Sequence, residues 1–217
     1  MSSLSQQCYE MIETKILSGE YGPGEKLGME RLKQDLGVGL SPIREALSKM
    51  VSSGLVVLDK NKGFSVVRLT QKSVRDLSLT YALIETIALE QAIKNGGEEW
   101  EANIAAKYYR LAKMELSDGP ISWAEWLPLN TAFHKALVEG CGSPALMEIR
   151  DSLITRLQLY FRMLFALPDW VEVNHQEHKD LADAVMARDF DNTSRIMNRH
   201  ILSSLDDTIN KLNLPEE

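Results

Sequence analysis

Four histidines and one arginine carry most of the chemistry open to this chain. His134, His175, His178 and His200 are the whole histidine complement of its 217 residues. Asn130 and His134 stand four apart, and His175 and His178 three apart, so each pair shares a helical face. With His134, His178 and His200 on three separate helices, one imidazole from each can meet at a common point inside a bundle. Three neutral imidazoles with one open position suit zinc, nickel or a similar divalent ion. Taken singly, each histidine also fits a hydrogen-bonded core residue, and spacing alone leaves both readings open. Arg44 belongs to the run Ser41-Pro42-Ile43-Arg44-Glu45-Ala46-Leu47. Ser41 can cap a helix and Pro42 suits its first position. Arg44 then projects from the first turn, the part of a recognition helix that reaches base edges. A lone arginine there is ordinarily a solvated surface residue, so the weight falls on what surrounds it.

The elements around Arg44 form a recognisable order. Ser3 and Gln6 make a capping box, and Leu4, Cys8, Ile12 and Ile16 follow at helical spacing. Tyr21-Gly22-Pro23-Gly24 ends that helix, and Met29–Leu36 makes a second, stopped at Gly37. The Arg44 helix stops at Gly54. Val56-Val57-Leu58 and Phe64-Ser65-Val66-Val67 then flank Asp59-Lys60-Asn61-Lys62-Gly63, a hairpin with a basic tip. Three helices and a hairpin make a winged helix-turn-helix.

Charge is distributed in keeping with this. The chain carries −7 overall, yet residues 1–68 hold nine Lys and Arg against eight Asp and Glu, so −8 lies in the remainder. DNA binding by the smaller part would rest on local patches (Arg44, Lys60 and Lys62, with Lys49 and Arg31) and be salt-sensitive. Cys8 and Cys141 give neither a disulfide framework nor a metal-finger spacing. There is no leader with a cleavage site and no apolar run near 18 residues, so a cytoplasmic protein with no membrane partner is expected.

From Thr70 onward the pattern is helical throughout. Helices are expected over 73–95, 98–116, 122–140, 145–167 (stopped by Pro168), 170–187 and 192–212, joined by short glycine- and proline-bearing turns. Long amphipathic helices with short connections imply an antiparallel bundle. The chain is thus expected to be mainly α, a winged helix-turn-helix over 1–69 followed by an all-α bundle over 70–217. Leu69–Lys72 is a short junction, which would couple the two.

Gly37–Leu47, followed by Lys62-Gly63-Phe64-Ser65-Val66, resembles the DNA-binding domain of GntR-type transcription factors. The resemblance implies that Arg44 reads bases, that Ser41 and Pro42 contact phosphate and start the helix, and that Gly63 lets the wing, with Lys60 and Lys62, approach the minor groove. Leu40 stands where that family usually has an arginine, which would remove one contact. Residues 70–210 resemble the FCD ligand-binding domain of the FadR subfamily. Many of its members hold a metal through an aspartate four residues before a histidine and two later histidines. The matching positions are Asn130, His134, His178 and His200; His175 has no counterpart and is expected at the surface or in support.

Two departures shape the expected site. Asn130 replaces the family aspartate, so a divalent zinc or nickel ion would be weakened or absent unless an organic carboxylate supplies the missing charge. Thr86 stands where the first bundle helix commonly has an arginine, which leaves Arg156 and Tyr160 as candidates to hold an acidic effector. Short runs such as Gly37-Val38-Gly39, Gly96-Gly97-Glu98-Glu99-Trp100 and Gly140-Cys141-Gly142-Ser143 are similar to CsiR-type repressors of 4-aminobutyrate and glutarate breakdown, which would imply a five-carbon dicarboxylate. The expected function is that of a homodimeric repressor whose grip on double-stranded operator DNA answers to a small acid. An enzyme with a catalytic zinc would need a base beside the metal. Only Glu177 neighbours a candidate ligand, about 100° away around its helix. No phosphate loop, nucleophile elbow or zincin motif is present. A helical interaction module without DNA binding would leave the wing unexplained.

Overall fold

A computed structural model of the chain describes residues 2–167, 170–202 and 205–216. Its elements run α1 (Leu4–Leu17), α2 (Met29–Leu36), α3 (Leu40–Ser53), β1 (Val56–Asp59), β2 (Gly63–Val66), α4 (Gln71–Asn95), α5 (Glu98–Glu115), α6 (Trp123–Glu139), α7 (Pro144–Leu164), α8 (Trp170–Met186), α9 (Phe190–Leu202) and α10 (Leu205–Lys211). The expected stop at Pro168, and two positions within the helix expected over 192–212, lie outside the described residues. Two compact units emerge. One comprises residues up to Val74 with Ile154–Arg162 and the segment from Leu214; the other comprises Arg75–Leu153 and Met163–Asn213.

In the first unit, the Ser3 hydroxyl accepts from the Gln6 backbone N–H at 3.1 Å, starting α1 as the capping box predicts. Cys8, Ile12 and Ile16 are buried, whereas Leu4 stands half exposed in the first turn. Gly37 and Gly54 close α2 and α3 in the left-handed region, at φ 66° and 77°. The start of α3 differs from expectation. Gly39 is the N-cap, Leu40 the first helical residue, and Ser41 makes no cap. Pro42 therefore falls third. It is harmless there, because the first four N–H groups of a helix have no intrahelical acceptor anyway. Ile43, Ala46, Leu47 and Met50 form the buried face, which leaves Ser41, Arg44, Glu45, Ser48 and Lys49 outside.

The strands pair antiparallel, Val56 with Val66 and Asp59 with Gly63. Segment 24–27 runs along β2, Leu27 N–H donating to Phe64 O at 2.9 Å and Val66 N–H to Glu25 O at 2.9 Å. Val56 and Val66 are buried against the helices, while Val57 and Leu58 project into solvent. An exposed apolar strand at a wing is unusual unless something covers it.

Arg156 makes an unexpected contact in this unit. A methyl group on Gly54 would meet its Cδ and Nε at 2.9 Å, so the guanidinium lies across the C-terminus of α3, where a cation is favoured. Gly54→Ala is expected to cost about 1–2 kcal/mol for the left-handed backbone alone, with displacement of Arg156 in addition. An unchanged urea midpoint would show that this corner is slack.

In the second unit, α5 packs on α6 and α8, and α8 on α9. Its core holds Trp126, Phe133, Leu137, Ile104, Leu111, Leu181 and Val185. Trp123, Trp126, Phe165 and Trp170 interleave with ring centroids 5.0–6.0 Å apart, forming an apolar lid beside the interior histidines.

Candidate functional site

The second unit gathers the histidines. His134 comes from α6, His178 from α8 and His200 from α9, and one ligand atom from each lies within 4.8 Å of the others. The Nε2 atoms of His134 and His178 are 3.2 Å apart. Two imidazole nitrogens sharing one tetrahedral ion at roughly 2.0–2.1 Å would sit about 3.3 Å apart, so the separation suits a common ion. The rings enclose the point from three sides, with centroids 5.0–5.1 Å apart.

Carboxylates behind the rings fix their tautomers. His178 Nδ1–H donates to Glu115 Oε1 at 3.0 Å, and His200 Nδ1–H to Glu177 Oε2 at 2.8 Å. That leaves the Nε2 lone pairs of both rings facing inward, the arrangement in which a carboxylate raises the basicity of a metal-binding imidazole. Glu115 also accepts from Trp126 Nε1 at 2.9 Å and from His175 Nδ1 at 3.1 Å. Burial pushes the Glu115 carboxyl up, but hydrogen bonds and charge from His178, with Trp126 and His175, hold it below the usual range. Glu177 behaves likewise, burial being outweighed by His200 and Arg199. Burial holds His178 below its ordinary value and drives His134 well below, the latter helped by the charges of His200, His178 and Arg150. Burial thus favours the neutral form of His134 and His178, and neutral imidazoles with carboxylates behind the site suit a divalent cation.

Asn130 is the fourth expected ligand. Its side chain is buried one turn before His134, and Oδ1 accepts no hydrogen bond. Leaving such an acceptor unsatisfied costs about 1–3 kcal/mol, and a hard cation is one partner that would relieve it. The charge deficit expected from the lost aspartate is met otherwise, since Glu115 and Glu177 sit one imidazole away from the centre. His134, His178, His200 and Asn130 would thus hold the ion, which would supply positive charge and an open coordination position for a carboxylate. Glu115→Gln is expected to weaken zinc binding about 10- to 100-fold, read by competition with a chromophoric chelator. Undiminished affinity would show that Glu115 serves packing only.

Arg156 and Tyr160, the expected carboxylate holders, fall in the first unit, and the histidines in the second. Arg156 lies against Gly54, and Tyr160 is buried at 3% exposure. α7 supplies residues to both units, and face-sharing at positions 156 and 160 could not reveal which unit they join. Glu115 and Arg150 escaped sequence reasoning. Glu115 ends α5 among other charges. Arg150 left a faint signal, standing seven residues before Leu157 and fourteen before Leu164 on the buried stripe of α7. Glu177 reaches His200 rather than its neighbour His178, as their angular separation requires.

In the first unit, Arg44 is exposed and makes no side-chain hydrogen bond or ion pair among the described residues; the same holds for Lys49, Lys60 and Lys62. Arg31, by contrast, is engaged by Glu25 at 3.1 Å and Asp35 at 3.8 Å and lies over the Tyr21 ring, so it adds little to a basic patch. Asp59 accepts from the N–H groups of Asn61 and Lys62 at 2.8 and 3.2 Å, folding the wing tip and turning both lysines outward. Those backbone hydrogen bonds hold its carboxyl below the usual range. Gly63 follows at φ 81°, with nothing within 4 Å of where a Cβ would stand.

Residues 4–66 match the gntR family of bacterial regulatory proteins and residues 76–203 match the FCD domain. The chain belongs to the GntR family, in the branch that carries an FCD domain, and it is a DNA-binding transcriptional regulator. It is 33% identical over 210 residues to the HTH-type transcriptional repressor GlaR of Escherichia coli strain K12, covering 94% of this chain and 96% of that one. It is 31% identical to the regulator BphR of Paraburkholderia xenovorans, over 94% of this chain and 84% of the other. Among solved structures, E. coli McbR/YncC shares the fold with a TM-score of 0.80 at 19% identity, over 98% of this chain and 100% of that chain. The family and the relatives GlaR and BphR are transcription regulators and not enzymes, which sets aside the catalytic-zinc reading. No helix among the described residues is long and apolar enough to cross a membrane.

Proposed function

We propose that this protein is a cytoplasmic, homodimeric repressor that releases its operator when a small organic acid binds at the histidine centre. The observation that carries the reading is the convergence of His134, His178 and His200 at a buried point, with two carboxylates setting the inward nitrogens for a cation. Residues 1–69 act as the DNA module: Arg44 reads bases from α3, Ser41 and Pro42 lie along the phosphates at its start, and Lys60, Lys62 and Gly63 follow the wing into the minor groove. Residues 70–217 bind zinc or nickel through the three histidines and Asn130, and the acid takes the remaining position.

The repressor name of GlaR supports the sign of regulation. The short identities to CsiR-type repressors make a five-carbon dicarboxylate the first acid to try. Dimerisation would pair two recognition helices with a two-fold operator. An acid that favours the DNA-free form must, by linkage, bind the DNA-bound protein less well. The test combines elemental analysis with a gel shift on the DNA upstream of the protein's own gene. About one equivalent of metal per chain, together with a shift reversed by acid, is the expected result. A metal-free protein whose shift ignores every acid would overturn the reading.

A further inference from the structure

The outward surface of α3 is polar over its first three turns except at its first residue. From Leu40 to Lys49 the exposed side chains are Leu40, Ser41, Arg44, Glu45, Ser48 and Lys49. Leu40 is the one large apolar group among them, 37% exposed. It stands four residues before Arg44, so it shares that arginine's helical face one turn nearer the N-terminus.

Neither packing nor capping accounts for a leucine here. The buried residues of α3 are Ile43, Ala46, Leu47 and Met50, and Leu40 stands outside them. Helix starts favour hydroxyl, amide and acidic side chains, which satisfy the leading N–H groups or their positive end. Leucine does neither. Gly39, the N-cap, makes no side-chain hydrogen bond, and the first turn of α3 holds no acidic residue. Gly37 and Gly39, on either side of Val38, have nothing within 4 Å of where a Cβ would stand, so the turn leading to Leu40 is bare. This end of the helix is uncapped, unobstructed and led by an exposed apolar side chain beside an exposed, unpartnered arginine.

The chemistry of base edges decides what such a leucine can recognise. In the major groove every base pair presents hydrogen-bonding groups, and the one apolar group is the C5-methyl of thymine. Arg44 matches the paired acceptors of guanine, O6 and N7. Leu40 gains nothing from those acceptors and gains by burial against the methyl. Four residues rise about 6 Å along a helix, the span of about two base-pair steps at roughly 3.4 Å each.

We infer that Leu40 is a second base-reading residue, packing on the C5-methyl of a thymine within about two base pairs of the guanine met by Arg44. This rests on the DNA module of the proposed function and deepens it by naming a second base and the group that is read on it.

The test begins by selecting bound duplexes from a random pool with the full chain. Arg44→Ala locates its guanine as the base pair where discrimination is lost. Each thymine of one half-site is then replaced in turn by deoxyuridine, which keeps every hydrogen-bonding group and lacks the methyl, and affinity is read by fluorescence anisotropy. One replacement within about two base pairs of that guanine is expected to weaken wild-type binding about fourfold, the worth of one buried methyl group. In Leu40→Ser, whose short polar side chain suits a first helical turn, the same replacement is expected to change nothing. Effects of the missing methyl on the duplex itself appear in both proteins alike and cancel. No sensitive thymine near the guanine, or one equally sensitive in Leu40→Ser, overturns the inference and leaves the DNA module standing. If Arg44→Ala binds every selected duplex as the wild type does, α3 is not the reading face, and the DNA module fails together with this inference.

Discussion

Arg44→Ala is expected to lower operator affinity by about 10- to 100-fold while leaving the melting temperature almost unchanged. Loss of a bidentate contact to a base costs roughly 1–3 kcal/mol, and the discrimination at that base pair goes with it. The side chain is exposed and unpartnered, so the folded state loses no contact when it is removed. Surface substitutions of this kind usually change stability by less than about 0.5 kcal/mol. Fluorescence anisotropy with labelled operator reads the first effect and thermal melting the second. Lys62→Ala provides the contrast. As a phosphate contact at the wing it should weaken all sequences alike and reduce the salt slope by about one. Wild-type affinity in Arg44→Ala would mean that another face meets DNA.

His200→Ala is expected to abolish stoichiometric metal binding with little damage to the fold. Loss of a ligand should exceed the roughly 10- to 100-fold that loss of an outer hydrogen-bonding partner costs. His200 is the cleanest of the three positions to change. Its side chain is 11% exposed, and Glu177 keeps a partner in Arg199 at 3.3 Å once the imidazole is gone. His178 is wholly buried, and its loss would strand Glu115. Wild-type protein should gain about 2.7 kcal/mol of stability at a hundred times the dissociation constant of the metal. In His200→Ala that gain should disappear. A variant still stabilised by zinc to the same extent would show that the histidines serve as core residues only.

The parts legible in the sequence were those governed by local chemistry. Gly37 and Gly54 stop helices because only glycine takes their backbone angles cheaply, and Asp59 with Gly63 shapes the wing by hydrogen bonds within a few residues. The histidine spacing was enough to bring three imidazoles together, because helical periodicity fixes which face each occupies. What failed depended on contacts distant in sequence. Ser41 has the chemistry of a cap, yet α3 begins a residue earlier at Leu40, with Gly39 preceding it. Leu4 keeps the spacing of a core residue but lies at an end where nothing covers it. Arg156 and Tyr160 are a separate case: their shared face of α7 could be read, but not which compact unit that stretch of the helix joins. Glu115 and Arg150 were invisible as site residues because charged groups are read as solvated unless their partners are known. Their partners lie up to 69 residues away, at Tyr81 for Arg150 and at His178 for Glu115.

The aromatic cluster explains how the site could transmit binding without opening to water. Trp126 stacks near His178 and donates to Glu115, so the ring that roofs the centre also holds the carboxylate that orients it. A ligand that shifts His178 would have to move Trp126 and the rings packed on it. Close-packed aromatic clusters rearrange between discrete states rather than deforming smoothly, which is the behaviour an allosteric element needs.

In the proposed function, acid acts on DNA binding through the histidine centre. The measurement that meets it most directly is anisotropy of an operator complex, titrated with a panel of dicarboxylates and hydroxycarboxylates, using zinc-loaded and metal-stripped protein side by side. Release of DNA by acid from the zinc-loaded protein, with no release from the stripped protein at the same concentrations, is the predicted result. Release from both forms at equal acid concentration would contradict the claim and place the acid somewhere other than the three histidines.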